Sequence, residues 1–318
     1  MSTLYLDRKN LFLRLDGHAM ALYEDSVKRG TVPLKLLERV VVRGNLELES
    51  RLLCALADNK VDLLVLSGRY SRMGSMAFAH SHKDAKRRLA QYRFFQEKQQ
   101  LADLSRQLVL GKCRKQLQLL HRAMQKRGDL RRIITQAVRT ISEIESTLTG
   151  PECLATDSLR GLEGAAAAAY FSVFTALFAE SLGFFRRRKR PPPDPVNACL
   201  SLGYTLLHFE AVSVCHIVGL DPLLGFYHEP AYGRDSLACD LMEPVRPRLD
   251  GLVWYLFRNK LLRSSHFTQE KGGCLLNKSG RKIFYAHYES FVLPVRRLLR
   301  LEGHKLAKFY IQSAAKLC

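Results

Sequence analysis

Between Tyr227 and Pro247 the chain reads YHEPAYGRDSLACDLMEPVRP, one histidine and four carboxylates within twenty-one residues of a protein whose formal net charge is +20. Asp235-Ser236 has the form of a helix start, and a helix begun there sets Asp240 and Glu243 three residues apart on one face. Like charges at that spacing repel, which makes a bound cation an economical partner. His228 stands just upstream, in a loop with Pro230 and Gly233 that can fold its ring back over that helix. A further carboxylate, Glu163 in GLEGAAAAAYF, precedes five alanines and two aromatics, so the helix it starts is expected to pack into the core. A carboxylate there must be neutralised, hydrogen-bonded or bound to metal. Gly161 and Gly164 would admit a second backbone or a substrate at close range. One imidazole with two or three carboxylates suits Mg2+ or Mn2+ better than zinc, and such an ion acts as a Lewis acid on a phosphodiester. Spacing alone leaves a second option open, in which Asp240 and Glu243 line an exposed helix face and His228 is an ordinary loop residue.

The charge around these residues favours a polyanionic partner. Fifty Lys and Arg stand against thirty Asp and Glu, and the stretch 81–150 alone holds sixteen basic and six acidic residues. Candidate DNA contacts are Lys86, Arg87, Arg88, Arg131 and Arg132 in this stretch, and Arg186, Arg187 and Arg188 in the run RRRKR (186–190), which a proline-stiffened PPPDPVN follows. A solvated helix face explains such runs too, but solubility alone usually interleaves both signs. The longest uncharged apolar run, Ala165 to Ala179, is too short for a bilayer and reads as a buried helix; no membrane partner is expected. The first residues, MSTLYLDRKN, lack the pattern of a secretory signal, consistent with the cytoplasm. Eight cysteines occur without a CxxC pair and are expected to be reduced thiols rather than a zinc site.

The elements that must position these residues fall into two textures. Up to about residue 80, short runs (TLYL, NLFLRL, HAMALYE, RVVVRG, VDLLVLS) separated by turn signals at Asp16-Gly17 and Arg29-Gly30 predict antiparallel strands. One helix, Glu47 to Lys60, interrupts them with Leu52, Leu53, Leu56 and Ala57 at helical spacing. From Lys83 to Leu148 the apolar positions recur every three or four residues (Leu89, Tyr92, Phe95; Leu117, Leu120, Met124; Ile133, Ile134, Ala137, Ile141, Ile144), predicting amphipathic helices with basic outer faces. After Gly150-Pro151 a second helical block follows, with a long apolar helix from Pro195 to Leu220 capped by Asp194. The expected fold is therefore α+β in two domains. Residues 1–80 form a small antiparallel β-rich domain and 81–318 a larger all-α catalytic domain, its first part basic (81–150) and its metal site within 161–247.

GLEGAAAAAYF (161–171), RRRKRPPPDPVNACLSLGYTLL (186–207) and LLGFYHEPAYGRDSLACDLMEPVRP (223–247) agree, in order and spacing, with segments of one family. The chain resembles, along essentially its whole length, the CRISPR-associated integrase, the metal-dependent nuclease of spacer acquisition. The resemblance implies that Glu163, His228 and Glu243 are metal ligands for Mg2+ or Mn2+, with Asp240 the neighbouring acid that supports the site. It implies an endonuclease and integrase that binds a short double-stranded DNA fragment and promotes attack of its 3′-hydroxyl on a phosphodiester of a CRISPR repeat. It also implies an asymmetric homodimer joined through the β-rich domains, two dimers being bridged by a small ferredoxin-like companion protein. The competing enzyme class is a stand-alone metal-dependent nuclease on branched or single-stranded DNA. A structural DNA-binding subunit is disfavoured by the lack of any helix-turn-helix or zinc-finger pattern.

Overall fold

The computed structural model describes residues 2–8, 10–67, 72–79, 81–151, 154–188, 191–270 and 273–316; Cys153, Cys318, Lys189 and Arg190 lie outside the described residues. Packing divides the chain into two compact units, Met1–Lys83 and Asp84–Cys318.

The first unit holds two four-stranded sheets. One is ordered β1 (Ser2–Leu6), β5 (Leu37–Arg43), β7 (Asp62–Ser67), β8 (Arg72–Ala77); the other is ordered β4 (Val27–Pro33), β3 (Ala19–Glu24), β2 (Leu11–Asp16), β6 (Leu46–Leu48). The expected antiparallel pairing holds for β2–β3–β4 and β7–β8. It fails for β1–β5, β5–β7 and β2–β6, which are parallel. The reason lies in the connections: helix α1 (Ser50–Asp58) lies on the crossover between β5 and β7, and the whole meander lies between β1 and β5. Leu52 and Leu56 of α1 enter a core with Leu13, Met20, Leu37 and Val40, while Leu53 faces out. Arg29-Gly30, read as a turn, sits inside β4. The turn is four residues earlier at Asp25-Ser26, both with positive φ (50° and 64°) as a two-residue hairpin requires, and Arg29 is the extra residue of a bulge between the partners of Leu22 and Tyr23.

The second unit is mainly helical: α2 (Lys86–Phe94), α3 (Lys98–Met124), α4 (Arg131–Thr149), α5 (Thr156–Ala176), α6 (Pro195–Val218), α7 (Ser236–Met242), α8 (Arg246–Arg258) and α9 (Lys278–Lys316). It is not all-α, because β9 (Phe267–Glu270) and β10 (Gly273–Leu276) form an antiparallel pair between α8 and α9. Four-residue strands are too short to show a period-two signal against flanking helices. α6 begins as expected, Asp194 accepting from the Asn197 amide at 2.8 Å with Pro195 at the first helical position. It is apolar all round and 78% buried over its most hydrophobic window, the condition of a core helix. The six described cysteines are free thiols.

α2 turns a different face inward from the one its pattern predicts. Leu89, Tyr92 and Phe95 are 56%, 45% and 36% exposed, whereas Ala90, Gln91 and Phe94 are buried. Gln91 decides this: its amide donates to the carbonyls of Asp221 and Leu224 and accepts from the Asp221 amide (2.8–3.0 Å), a fully paired polar anchor. Phe94 meets Phe309 and Tyr310 of α9 at 5.2 and 4.9 Å between ring centroids.

Three helices are tied by one buried carboxylate. Asp250 of α8 accepts from the Tyr170 hydroxyl of α5 at 2.8 Å and from the Tyr204 hydroxyl of α6. Burial raises its carboxyl to a pKa of about 6, against the pull of the two hydroxyls and of Arg246 and Arg187. An unfolded aspartate titrates near 3.9, so the folded state holds its proton more tightly; the stability this confers is fully present below about pH 4 and is lost as pH rises through 6, roughly 2–3 kcal/mol in all. Asp250→Asn does not titrate, so the wild type's stability relative to this variant should fall by about 2 kcal/mol from pH 4 to pH 7.5. Urea denaturation of both proteins at the two pH values measures this, and a constant difference would mean the carboxyl is ionised throughout.

Candidate active site

The four carboxylates of the Tyr227–Pro247 stretch divide among separate tasks. Glu229 pairs at the surface with Arg160 of α5 at 2.6 Å. Asp235 precedes α7 without capping it through its side chain, and lies 3.4 Å from His208 Nε2. Asp240 and Glu243 are both buried, which removes the option of an exposed acidic face.

Asp240 works on the loop between α6 and α7. One oxygen accepts from the Phe226 and Tyr227 amides (2.6 and 3.0 Å), the other from the His228 amide at 2.9 Å and from His228 Nδ1 at 2.6 Å. Four donors on one carboxylate compensate its burial. The nitrogen facing a carboxylate carries the proton, so His228 Nε2 is left with the lone pair, the arrangement common among metal-bound histidines. Gly225 makes this possible: a Cβ there would stand 2.7 Å from Asp240 Oδ2 and 2.7 Å from the His228 carbonyl. Asp240 thus orients the loop and the ring.

Glu243 begins a 3-10 turn after α7, with Pro244 next to it. Its Oε1 meets Arg246 Nε at 2.6 Å and its Oε2 meets Lys112 Nζ of α3 at 2.7 Å. The same ammonium bonds Glu163 Oε1 of α5. Glu163 lies in the middle of its helix, not at its start, and is only partly buried. A Cβ on Gly161 or Gly164 would meet nothing within 4 Å, so the small residues beside Glu163 face open space rather than another backbone. Ala165 and Ala168 are exposed too, which makes the alanine-rich run one-sided rather than buried throughout. Burial alone would raise the Glu243 carboxyl, but Arg246 and Lys112 outweigh it and hold the group below the ordinary glutamate value. Burial likewise opposes charge on Lys112, and Glu243 and Glu163 outweigh it. Tyr227 adjoins both acids: burial, then the charges of Glu163 and Glu243, push its hydroxyl well above the usual tyrosine range.

Glu163 and Glu243 therefore converge on one cationic point, and that point is an ammonium. Among the described residues no three His, Cys, Asp or Glu side chains form a ready-made metal cluster. The donor set nevertheless fits a hard divalent ion. Two carboxylate oxygens from separate elements already share a cation, and Glu243 Oε2 is buried with no hydrogen bond of good geometry despite the nearby ammonium. The His228 ring is an electrostatic neighbour of Glu243, and its Nε2, free of Asp240, adds a nitrogen to the set. Lys112 escaped sequence reasoning because it sits in a basic run. The available signal was its place on the inward stripe Ser105, Leu108, Lys112, Gln116, Leu119, where an unpaired lysine is costly. Arg246 escaped although it stands in the acidic stretch itself, three residues after Glu243, because the carboxylates there were matched with an ion rather than with a neighbouring side chain.

The candidate DNA contacts differ in availability. Lys86, Arg131, Arg132, Arg186 and Arg188 are exposed, and Arg88 is half-buried. Arg87 donates to the Val218 carbonyl at the end of α6 at 2.7 Å. Arg187 bonds the Asn197 side chain at 2.8 Å and lies over the Tyr204 ring, so much of its guanidinium is committed within the fold.

Residues 4–290 match the family model described as CRISPR associated protein Cas1. A protein of Thermodesulfovibrio yellowstonii named CRISPR-associated endonuclease Cas1 1 is 39% identical, over 97% of this chain and 96% of its own length. Among solved structures, a Cas1 protein from Thermotoga maritima superposes with a TM-score of 0.80 at 22% identity, covering 98% of this chain and 97% of that one. A casposase bound to integration product gives 0.83 at 19% identity, covering 98% and 91%. With a family model spanning most of its length and a relative of that identity over nearly all of it, the chain belongs to the Cas1 family of CRISPR-associated proteins.

Proposed function

We propose that the protein is a divalent-metal-dependent DNA endonuclease and integrase of CRISPR adaptation, joining the 3′-hydroxyl of a short DNA duplex to a phosphodiester of a CRISPR repeat. The observation that carries this reading is the convergence of Glu163 and Glu243 on one cation beside a histidine whose Nδ1 is held by Asp240. Glu163, Glu243 and His228 Nε2 would hold Mg2+ or Mn2+, which when bound supplies Lewis-acid stabilisation of charge on the phosphodiester.

This chain's own residues do the rest by position. Asp240 fixes the His228 ring, Arg246 fixes the Glu243 carboxylate, and the open side at Gly161 and Gly164 gives a strand access to Glu163. The reaction is an exchange of esters. A bond forms between the fragment's 3′-oxygen and phosphorus, the bond from phosphorus to the repeat strand's 3′-oxygen breaks, and the proton lost by the attacking hydroxyl is balanced by one gained at the leaving oxygen. Little covalent work falls to the protein, so positioning and charge dominate. On this reading it acts in the cytoplasm as a homodimer with a small ferredoxin-like companion, on double-stranded DNA.

Glu163→Ala, His228→Ala and Glu243→Ala should each lower joining of a 3′-hydroxyl fragment to a repeat-bearing plasmid by more than about 100-fold while duplex affinity stays within about twofold. Full joining in any of them, with Mg2+ or Mn2+ supplied, overturns the reading; metal-dependent cleavage of branched DNA without joining would make the protein a stand-alone nuclease. Lys112→Met should lower stability in EDTA by about 3 kcal/mol, since it leaves two carboxylates without a shared cation, and Mn2+ should restore most of the loss. Thermal melts with and without Mn2+ test this, and an equal Mn2+ effect on wild type and variant would show that the pair does not take the ion. Arg131→Gln with Arg132→Gln should flatten the slope of log K against log salt for duplex binding by about 0.9 per lost phosphate contact. An unchanged slope means a merely solvated face.

A further inference from the structure

The helical unit treats two buried glutamines differently. Gln91 of α2 uses both ends of its amide in three hydrogen bonds. Gln116 of α3 is just as buried, at 2% exposed, yet its side-chain oxygen has no hydrogen-bond partner among the described residues. A buried acceptor left unpaired is a standing cost to the fold, so the position calls for a reason. Residues 244–251 cover this stretch of α3: a Cβ on Gly111 would stand 3.7 Å from Pro244, and one on Gly251 would stand 3.2 Å from Leu119. The buried polar side chains of that cover are engaged elsewhere, Arg246 with Glu243 and Asp250 with the hydroxyls of Tyr170 and Tyr204. Neither pairs with Gln116.

A donor stands one turn back along the same helix. Lys112 and Gln116 are four residues apart on the inward stripe, where Cβ atoms lie about 5–6 Å apart and long side chains lean toward the helix N-terminus, which carries the Gln116 amide over the turn that holds Lys112. At rest the Lys112 ammonium is used elsewhere, on Glu163 and at 2.7 Å from Glu243 Oε2. A divalent ion such as Mg2+ needs carboxylate oxygens at about 2.0–2.1 Å and cannot take these two while an ammonium stands on them. The two cations exclude each other. An ammonium pushed off both carboxylates and left unpaired inside the protein would set a large cost against the ion's affinity. The Gln116 oxygen is an acceptor with no competing donor, and it is unpaired in the state in which Lys112 holds the acids.

We propose that Lys112 has two positions, and that Gln116 is the positioning residue that receives its ammonium when Mg2+ or Mn2+ takes Glu163 and Glu243. No proton is exchanged: the ammonium stays charged, swings on its flexible stem and pairs an oxygen that had no partner before. The open side at Gly161 and Gly164 is thereby left to the substrate rather than to the displaced lysine. The inference rests on the metal-dependent reading above. Mn2+ affinity is measured by isothermal titration calorimetry, without DNA, for wild type, Gln116→Leu, Gln116→Met, Lys112→Met and Lys112→Met/Gln116→Leu. Both Gln116 variants should bind Mn2+ at least about fivefold more weakly than wild type, yet melt no lower in EDTA, because each removes an unpaired polar group and no hydrogen bond. Lys112→Met should bind Mn2+ more tightly than wild type, and adding Gln116→Leu to it should change the affinity by less than about twofold, since a lysine that is gone needs no receptor. If Lys112→Met does not fold without metal, Lys112→Gln takes its place in the cycle. Wild-type affinity in Gln116→Leu would mean that a buried water serves the oxygen, and equal weakening with and without Lys112 would mean that Gln116 only shapes the site; either result overturns the proposal. Failure of the wild type itself to take up Mn2+ would overturn the metal-dependent reading along with it.

Discussion

Two carboxylates brought face to face from different elements stay ionised only if a cation stands between them, and the helical unit is arranged around that requirement. Glu163 from α5 and Glu243 from the turn after α7 close on the Lys112 ammonium of α3. Three elements far apart in sequence are thereby held at one point by charge rather than by apolar packing. Such a pair is costly to bury and costlier to break, which is the behaviour expected of a site kept for what it can exchange rather than for stability.

Behind this point lies a second layer of alternating polarity. Arg246 takes the other Glu243 oxygen and stands 4.9 Å from the Tyr204 ring, whose hydroxyl reaches Asp250, which also receives Tyr170 from the same helix as Glu163. The chain of contacts returns to its starting helix. On the opposite flank, Asp240 gathers three consecutive amides and one imidazole, so His228 moves only with its loop, and Gln91 of α2 fastens the start of that loop. The candidate site's side chains are thus fixed by hydrogen-bonded polar groups whose partners are themselves buried, the condition under which a site keeps its geometry.

Residue types declared some of this in advance and were silent on the rest. Glu163 among glycines and alanines, and His228 with Glu243 in an acidic stretch of a basic chain, were conspicuous because each contradicts its surroundings. Asp194 before Pro195 marked the start of α6 for the same reason. Lys112 agreed with its neighbours in charge and was therefore hidden, although its position on an inward stripe contradicted them in burial. Leu89, Tyr92 and Phe95 misled because apolar spacing outvotes one glutamine, while in the fold three hydrogen bonds to that glutamine outweigh three exposed apolar side chains. The parallel pairing of β1, β5 and β7 depends on which strands meet across long connections, which no local period encodes.

The contact of Phe94 with Phe309 and Tyr310 also sets a schedule for the growing polypeptide. The strand unit finds all the partners described for it within its own first eighty-three residues and can close as soon as they clear the ribosome. The short helix that follows cannot: the rings it stacks against are made about two hundred residues later, some 10–40 s at ordinary rates of translation. Through that interval Phe94 has no ring to meet, and α2, a helix of nine residues that cannot persist alone, has only the segment at residues 218–224 to hold it once that has been made. The packing of α2 against α9 is therefore among the last contacts of the helical unit that synthesis allows.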